Sequence, residues 1–209
     1  MRYGLILSAA AIADQVAAAR AADERGFHSV WTLEFFHQHG FVRLAAVAEA
    51  TQRVQLGTAI AYAFMRAPLL AASAAMDLDE ISGGRVILGL GSGTRNMNEK
   101  WYSVPFDEPP APRMREAIGL VRAAFDAREG GGLHFSGDHY DVHILARAVP
   151  DQLVDAIAIA GRPDDVRDRL HQWAGLADHV LLYPPSVGVA AGRVRENLGA
   201  IIDTFEARS

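Results

Sequence analysis

The 209-residue sequence contains no cysteine, which excludes disulfide cross-links and thiol nucleophiles and fits a reducing compartment. No apolar run reaches the ~18 residues that a membrane-spanning helix needs. Positive charge is not in excess either. The 20 Lys and Arg against 25 Asp and Glu leave a net charge of −5 with the signs interspersed, so a nucleic-acid surface is not expected. Three signature motifs are also missing. A dinucleotide fingerprint needs glycine where Thr94 stands, a P-loop needs Gly-Lys-Ser/Thr, and a zinc protease needs H-E-x-x-H. The opening Met1-Arg2-Tyr3-Gly4-Leu5 runs straight into an apolar strand and not into a signal peptide. The expectation is a soluble, cytoplasmic protein with neither a membrane nor a nucleic-acid partner.

Half of the residues are hydrophobic and 22% are charged, a balance that supports a folded core. The chain is centred on Val86–Arg95 (VILGLGSGTR), a short β-branched run followed by alternate glycines at Gly89, Gly91 and Gly93. Alternate glycines strip side chains from one face at the end of a buried strand. Two readings are open: a flat ligand approaches that face, or a neighbouring element packs tightly against it.

The first half repeats one unit. Strands are expected at Tyr3–Ser8, Phe27–Leu33, Val54–Ile60 and from Val86, with helices at Ile12–Arg25, Val42–Thr51 and Pro68–Ile81 between them. Strand and helix alternating at about 26 residues signify βαβ units and a parallel sheet. Such sheets bind ligands at the carboxyl ends of their strands. Polar and aromatic residues gather there: Glu34 to His39, Ala61 to Met65 and Ser92 to Trp101.

After the fourth strand the period breaks. Asn96–Pro112, with four prolines, is too long for an ordinary connection and reads as a lid. A helix is expected at Arg113–Arg128, a β-hairpin at Leu133–Val142, a short helix at Gln152–Ile159, then helix Asp164–Ala174, strand His179–Tyr183 and helix Ala190–Ala207. Beyond Val142 there is room for two more units at most, so a barrel would hold about six βα units and not eight. The fold class is α/β, an incomplete (β/α)8 TIM-barrel type with a lid and hairpin inserted after strand four. The whole of 1–209 is taken as one domain: 1–95 with the first four strands, 96–142 with lid, helix and hairpin, and 143–209 as a shortened second half. Open strand edges invite pairing, so a homodimer, or a tail segment over the gap, is expected.

Several segments together resemble the bacterial luciferase-like monooxygenase family: YGLILS, ADERGFHSVWTLE, TQRVQLGTAI, SGGRVILGLGSGTRNMNEKWYSVPF, PPAPRMREAIGLVRAAF, FSGDHYDV and DAIAIAGRPDDVRDRL. The resemblance implies a (β/α)8 barrel holding FMN or the deazaflavin F420 at the carboxyl ends of its strands. It assigns Ala59 and Ile60 to a non-proline cis peptide against the ring, Gly91, Ser92, Gly93 and Thr94 to the loop beside the cofactor, and Glu34 to an acidic position near the ring. Some F420-dependent relatives carry a catalytic histidine where Phe35 stands. His37 or His39 is the nearby replacement, and the fifth and sixth units of the family barrel are missing.

The candidate catalytic residues are therefore Glu34, His37 and His39. Arg95, directly after the glycine loop, joins the cofactor-binding set as a cation for a phosphate or carboxylate; a solvated surface charge is the other reading. Phe35, Phe64, Trp101 and Tyr102 are the candidate walls of a substrate pocket, with Trp101 and Tyr102 alternatively pinning the lid. No metal site is assigned. The implied function is an FMN- or F420-dependent oxidoreductase or monooxygenase acting on a small organic substrate, with a non-catalytic cofactor-binding or structural paralogue as the alternative.

Overall fold

Leu182, Leu5, Val30, Leu56 and Val86 lie side by side across five parallel strands and are almost entirely buried. In the computed structural model, which describes residues 2–8, 11–126, 163–170, 178–184 and 189–205, this row forms the spine of the sheet. The strands are β1 (Arg2–Leu7), β2 (Ser29–Thr32), β3 (Gln55–Thr58), β4 (Ala61–Tyr62), β5 (Val86–Ile87), β6 (Leu90–Gly91) and β7 (His179–Leu182). Five of them form one sheet in the order β5-β3-β2-β1-β7, and β4 pairs with β6 in a short second ladder. All pairings between these strands are parallel.

The row packs with small and branched residues of the helices: Ala19 and Ala22 from α1 (Ile12–Glu24), Leu44 and Val47 from α2 (Gly40–Ala48), and Ala72 and Ala75 from α3 (Pro68–Ser82). Each large apolar side chain so buried contributes about 1.5–3 kcal/mol. The remaining helices are α4 (Pro110–Asp126), α5 (Pro163–Leu170) and α6 (Ala191–Thr204). α6, α1, α2, α3 and α4 pack in that sequence around the outside, matching the strand order beneath them. On the opposite face of the sheet, Trp31 lies over Gly57, where a Cβ would stand 2.1 Å from the indole. Its Nε1 donates to Ser29 Oγ at 2.7 Å.

The amino-terminal loops are tied by two buried or half-buried charges. The carboxylate of Asp23 accepts the backbone N–H groups of Gln52, Arg53 and Val54 at 2.8–3.0 Å. Arg85 donates to the carbonyls of Ala48, Thr51, Val54 and Ser82, covering acceptors that the end of α2 leaves open. α3 ends at Gly83, whose φ of 70° is the left-handed cap that glycine adopts without a Cβ penalty.

Four expected boundaries shift. The stretch read as one strand, Val54–Ile60, is two: β3 ends at Thr58, the Ala59–Ile60 peptide is cis, and β4 follows. The strand from Val86 is divided in the same way into β5 and β6, because Thr58 Oγ1 and the Ala61 N–H both bind the Gly89 carbonyl. Within the expected lid a π-helical turn spans Met97–Trp101, and α4 begins earlier than expected, at Pro110. The hairpin at Leu133–Val142 and the helix at Gln152–Ile159 lie outside the described residues.

Candidate functional site

The loops after β2, β4 and β6 meet at the carboxyl end of the sheet around one buried carboxylate. Glu34, 5% exposed, follows β2. Its Oε2 accepts the Tyr62 N–H at 3.0 Å, and its Oε1 accepts the Gly40 N–H at 3.3 Å and Arg66 Nη2 at 2.7 Å. His39 Nδ1 stands 3.8 Å from the same Oε1. A buried carboxylate is tolerable when its lone pairs are taken by fixed donors and a cation. The consequence is mechanical: one side chain fastens the start of α2 and strand β4 to the end of β2.

Between Glu34 and α2 the chain makes a tight reversal in which Phe35 and Gln38 exchange both backbone hydrogen bonds, at 3.0 and 3.1 Å. This reversal pushes Phe36 outward, 67% exposed, and stacks the His37 ring on Phe35 at 6.0 Å. Arg66, carried on the loop after β4, lies over the Phe41 ring at 5.0 Å.

The third loop is braced from within. The buried Asn98 amide donates to the carbonyls of Ser92 and Thr94, both at 2.8 Å, and Thr94 Oγ1 accepts the Met97 N–H. The π-helical turn so anchored presents Trp101 to Phe36 at 5.2 Å and Tyr102 to Tyr62 at 5.9 Å. Burial pushes the Tyr62 phenol up to about 12, with further upward contributions from Tyr102 and Glu34. Burial and Glu34 also raise Tyr102, against an opposing effect of Arg66. Both phenols are thus neutral hydroxyls at physiological pH.

These loops enclose a cavity of about 360 Å³ lined by Glu34, Phe35, Phe36, His37, Gln38, His39, Tyr62, Met65, Arg66 and Tyr102. Of the residues read from the sequence, Glu34, Phe35, His37, His39 and Tyr102 come together here, with Trp101 against its edge. Phe64 does not: it is buried beneath the lid, 6.1 Å from Phe106 and covered by the Arg113 guanidinium at 4.3 Å. The alternate glycines pack closely against the neighbouring segments. A Cβ on Gly89 would meet the Thr58 carbonyl oxygen at 2.0 Å, and one on Gly91 would meet Ile60 at 2.4 Å. Gly93 stands against Tyr62 with a positive φ of 65°. Ala59, Ile60 and Ser92 are half-buried at the strand ends. Arg95 is exposed and committed to Glu99 at 2.8 Å, with its guanidinium over Phe106 at 5.5 Å.

Sequence reasoning missed Arg66, and it gave no individual role to Gln38, Tyr62 and Met65, which fall within the strand-end stretches Glu34 to His39 and Ala61 to Met65. No spacing motif joins them, since they arrive from two different loops. Among the described residues, no group of three His, Asp or Glu is placed to hold a metal ion, and no helix is long and apolar enough to cross a membrane.

Comparison with known proteins supplies a context for this geometry. Residues 2–147 match the model of the luciferase-like monooxygenase family. An uncharacterized protein of Mycobacterium tuberculosis is 43% identical over 129 residues, 61% of this chain and 37% of that protein. The F420-dependent glucose-6-phosphate dehydrogenase of Amycolatopsis mediterranei is 36% identical over 169 residues, 72% of this chain and 48% of that enzyme. The chain therefore spans between about a third and a half of the length of these curated relatives. Among solved structures, apo-MsnO8 superimposes over 98% of both chains with a TM-score of 0.70 at 15% identity, a likeness of fold.

Proposed function

The chain belongs to the luciferase-like monooxygenase family, and from that premise we propose that it is an FMN- or F420-dependent oxidoreductase acting on a small organic molecule. The observation that carries the reading is the aromatic cavity at the carboxyl ends of the strands, built around the Glu34–Arg66 pair. When bound, the reduced cofactor supplies a hydride, or reacts with oxygen to oxygenate the substrate. The strand ends suit a flat ring: Ala59, Ile60 and Ser92 are half-buried, with short or apolar side chains beside the cavity loops. With Gly91, Gly93 and Thr94 they are the residues that would hold it. Arg66 and Arg95 are each paired with a carboxylate, so neither is assigned to a phosphate tail.

The remaining roles follow from the engaged and unengaged groups. Glu34, with both oxygens accepting hydrogen bonds, is a positioning residue that fixes Arg66 and the Tyr62 backbone. His37 and His39 line the cavity and are the candidate groups for proton transfer to or from a substrate. Phe35, Trp101 and Tyr102 wall the substrate side and exclude water. A cytoplasmic location and assembly as a homodimer are part of the same proposal.

A fluorescence titration with FMN and, separately, with F420 tests this directly. Saturable micromolar binding of one, followed by its consumption with a substrate panel, is expected. Binding without consumption over many hours would leave a cofactor-binding paralogue, and binding of neither would overturn the reading altogether.

A further inference from the structure

Three polar atoms around the cavity have no partner. Gln38, 6% exposed, leaves both its amide oxygen and its amide nitrogen unbonded, and Arg66 leaves Nη1 unbonded while Nη2 holds Glu34. A buried donor or acceptor without a partner forfeits its hydration with nothing in return, and native structures rarely keep several of them together. Both residues line one cavity whose other walls are rings.

The unmet capacity is specific. It consists of two donor nitrogens, Arg66 Nη1 and Gln38 Nε2, and one acceptor oxygen, Gln38 Oε1. A ligand carbonyl would use the donors and leave the acceptor orphaned. A carboxylate would do the same and add a second negative charge beside Glu34, which already neutralises Arg66. A hydroxyl uses all three, because its oxygen accepts twice and its proton is donated. The walls specify the body that carries it. Tyr62 and Tyr102 lie 5.9 Å apart and Phe35 stands 6.4 Å from Trp101, spacings at which aromatic rings pack edge-on or offset against one another and against a third ring.

We infer that the cavity takes a planar hydroxylated aromatic molecule as its substrate, with the hydroxyl at Arg66 and Gln38 and the ring among Phe35, Tyr62 and Tyr102. This rests on the oxidoreductase reading, in which the cavity is the substrate half of the site. The hydroxyl fixes the ring in one orientation, so attack at one face and one edge is favoured over the rest.

Calorimetric titration of the full chain with three probes tests the inference: 2-naphthol, 2-methylnaphthalene, which lacks the hydroxyl, and 1-decanol, which lacks the ring. The naphthol is expected to bind at least about tenfold tighter than either, as sites that hydrogen-bond a ligand reject the analogue without that group. Gln38→Leu is expected to bring naphthol down to the level of methylnaphthalene while methylnaphthalene itself still binds. Thermal melting verifies that the variant is folded, and Gln38→Met serves if the leucine variant is not. Equal binding of the three probes by the native protein, or an undiminished preference for naphthol in the variant, would overturn the inference. Separate FMN and F420 titrations keep the two readings apart. Cofactor binding with no preference for naphthol defeats only the substrate class, and naphthol preference with no cofactor binding defeats only the oxidoreductase.

Discussion

Glu34 shows how a single residue can be found from the sequence while its hydrogen-bond partners are not. Its position after β2 and the family resemblance both draw attention to it, and both suggest a group that faces ligand. Its environment also gives it a mechanical task, because two backbone N–H groups and a guanidinium occupy the carboxylate. Removing one member of a buried ion pair leaves the other uncompensated and costs about 3–5 kcal/mol. Glu34→Ala is therefore expected to lower the unfolding free energy by about that amount in chemical denaturation. Glu34→Gln keeps an acceptor for the Tyr62 N–H and should lose less. A proton-carrying role predicts the reverse pattern, with activity abolished equally in both and stability little changed. The partners of Glu34 were not legible, for a physical reason. Arg66 is 32 residues away in sequence, and nothing local in Ala63-Phe64-Met65-Arg66 announces an ion pair that only the closed sheet creates. Phe64 illustrates the same limit in the other direction. An aromatic on a strand-end loop suits a pocket wall, yet this one turns inward under Phe106 and Arg113.

At the scale of elements, the first four units were legible because hydrophobic period, glycine stops and a helix-starting proline agreed. α1, α2 and α3 lie within two or three residues of their expected bounds, and β1, β2 and β7 lie inside or one residue beyond theirs. What periodicity could not resolve is the internal break of two strands. An apolar run such as Leu56 to Tyr62 carries no mark of where its ladder changes partner; Gly89, whose carbonyl takes two donors from the neighbouring segment, decides it. The joints at the opposite end were equally silent, because Asp23 reads as one more charge on α1. Its carboxylate nevertheless accepts the three backbone N–H groups that directly precede β3. Charge-assisted bonds of this kind are worth roughly 1.5–3 kcal/mol each, though not additively. Asp23→Ala is expected to destabilise the protein by about 3 kcal/mol. The cavity, at the other end of the sheet, should keep its ligand preferences at temperatures where the variant is folded. Loss of ligand binding in a variant that still melts cooperatively would show instead that the two ends are coupled.

The molecule as a whole is an α/β fold of the (β/α)8 type, and among the described residues five parallel strands form its main sheet. Counting residues against the repeat length predicts about six βα units, and apo-MsnO8 shows a fold of the same extent. Among the described residues, β5 and β7 each hydrogen-bond to one neighbour only, and an exposed strand edge is a ready template for pairing with another strand. Large apolar side chains are also exposed on the outside: Val42 on α2 and Leu69 and Leu70 on α3 are each at least 60% accessible. These three residues belong to neighbouring helices, and one isologous contact would cover them on both partners at once. A homodimer is therefore expected. Light scattering coupled to size exclusion should give twice the mass of one chain, and Leu69→Glu with Leu70→Glu should shift it to the monomer without loss of helical signal. A native monomer would contradict this, and would mean that another part of the same chain closes the wall.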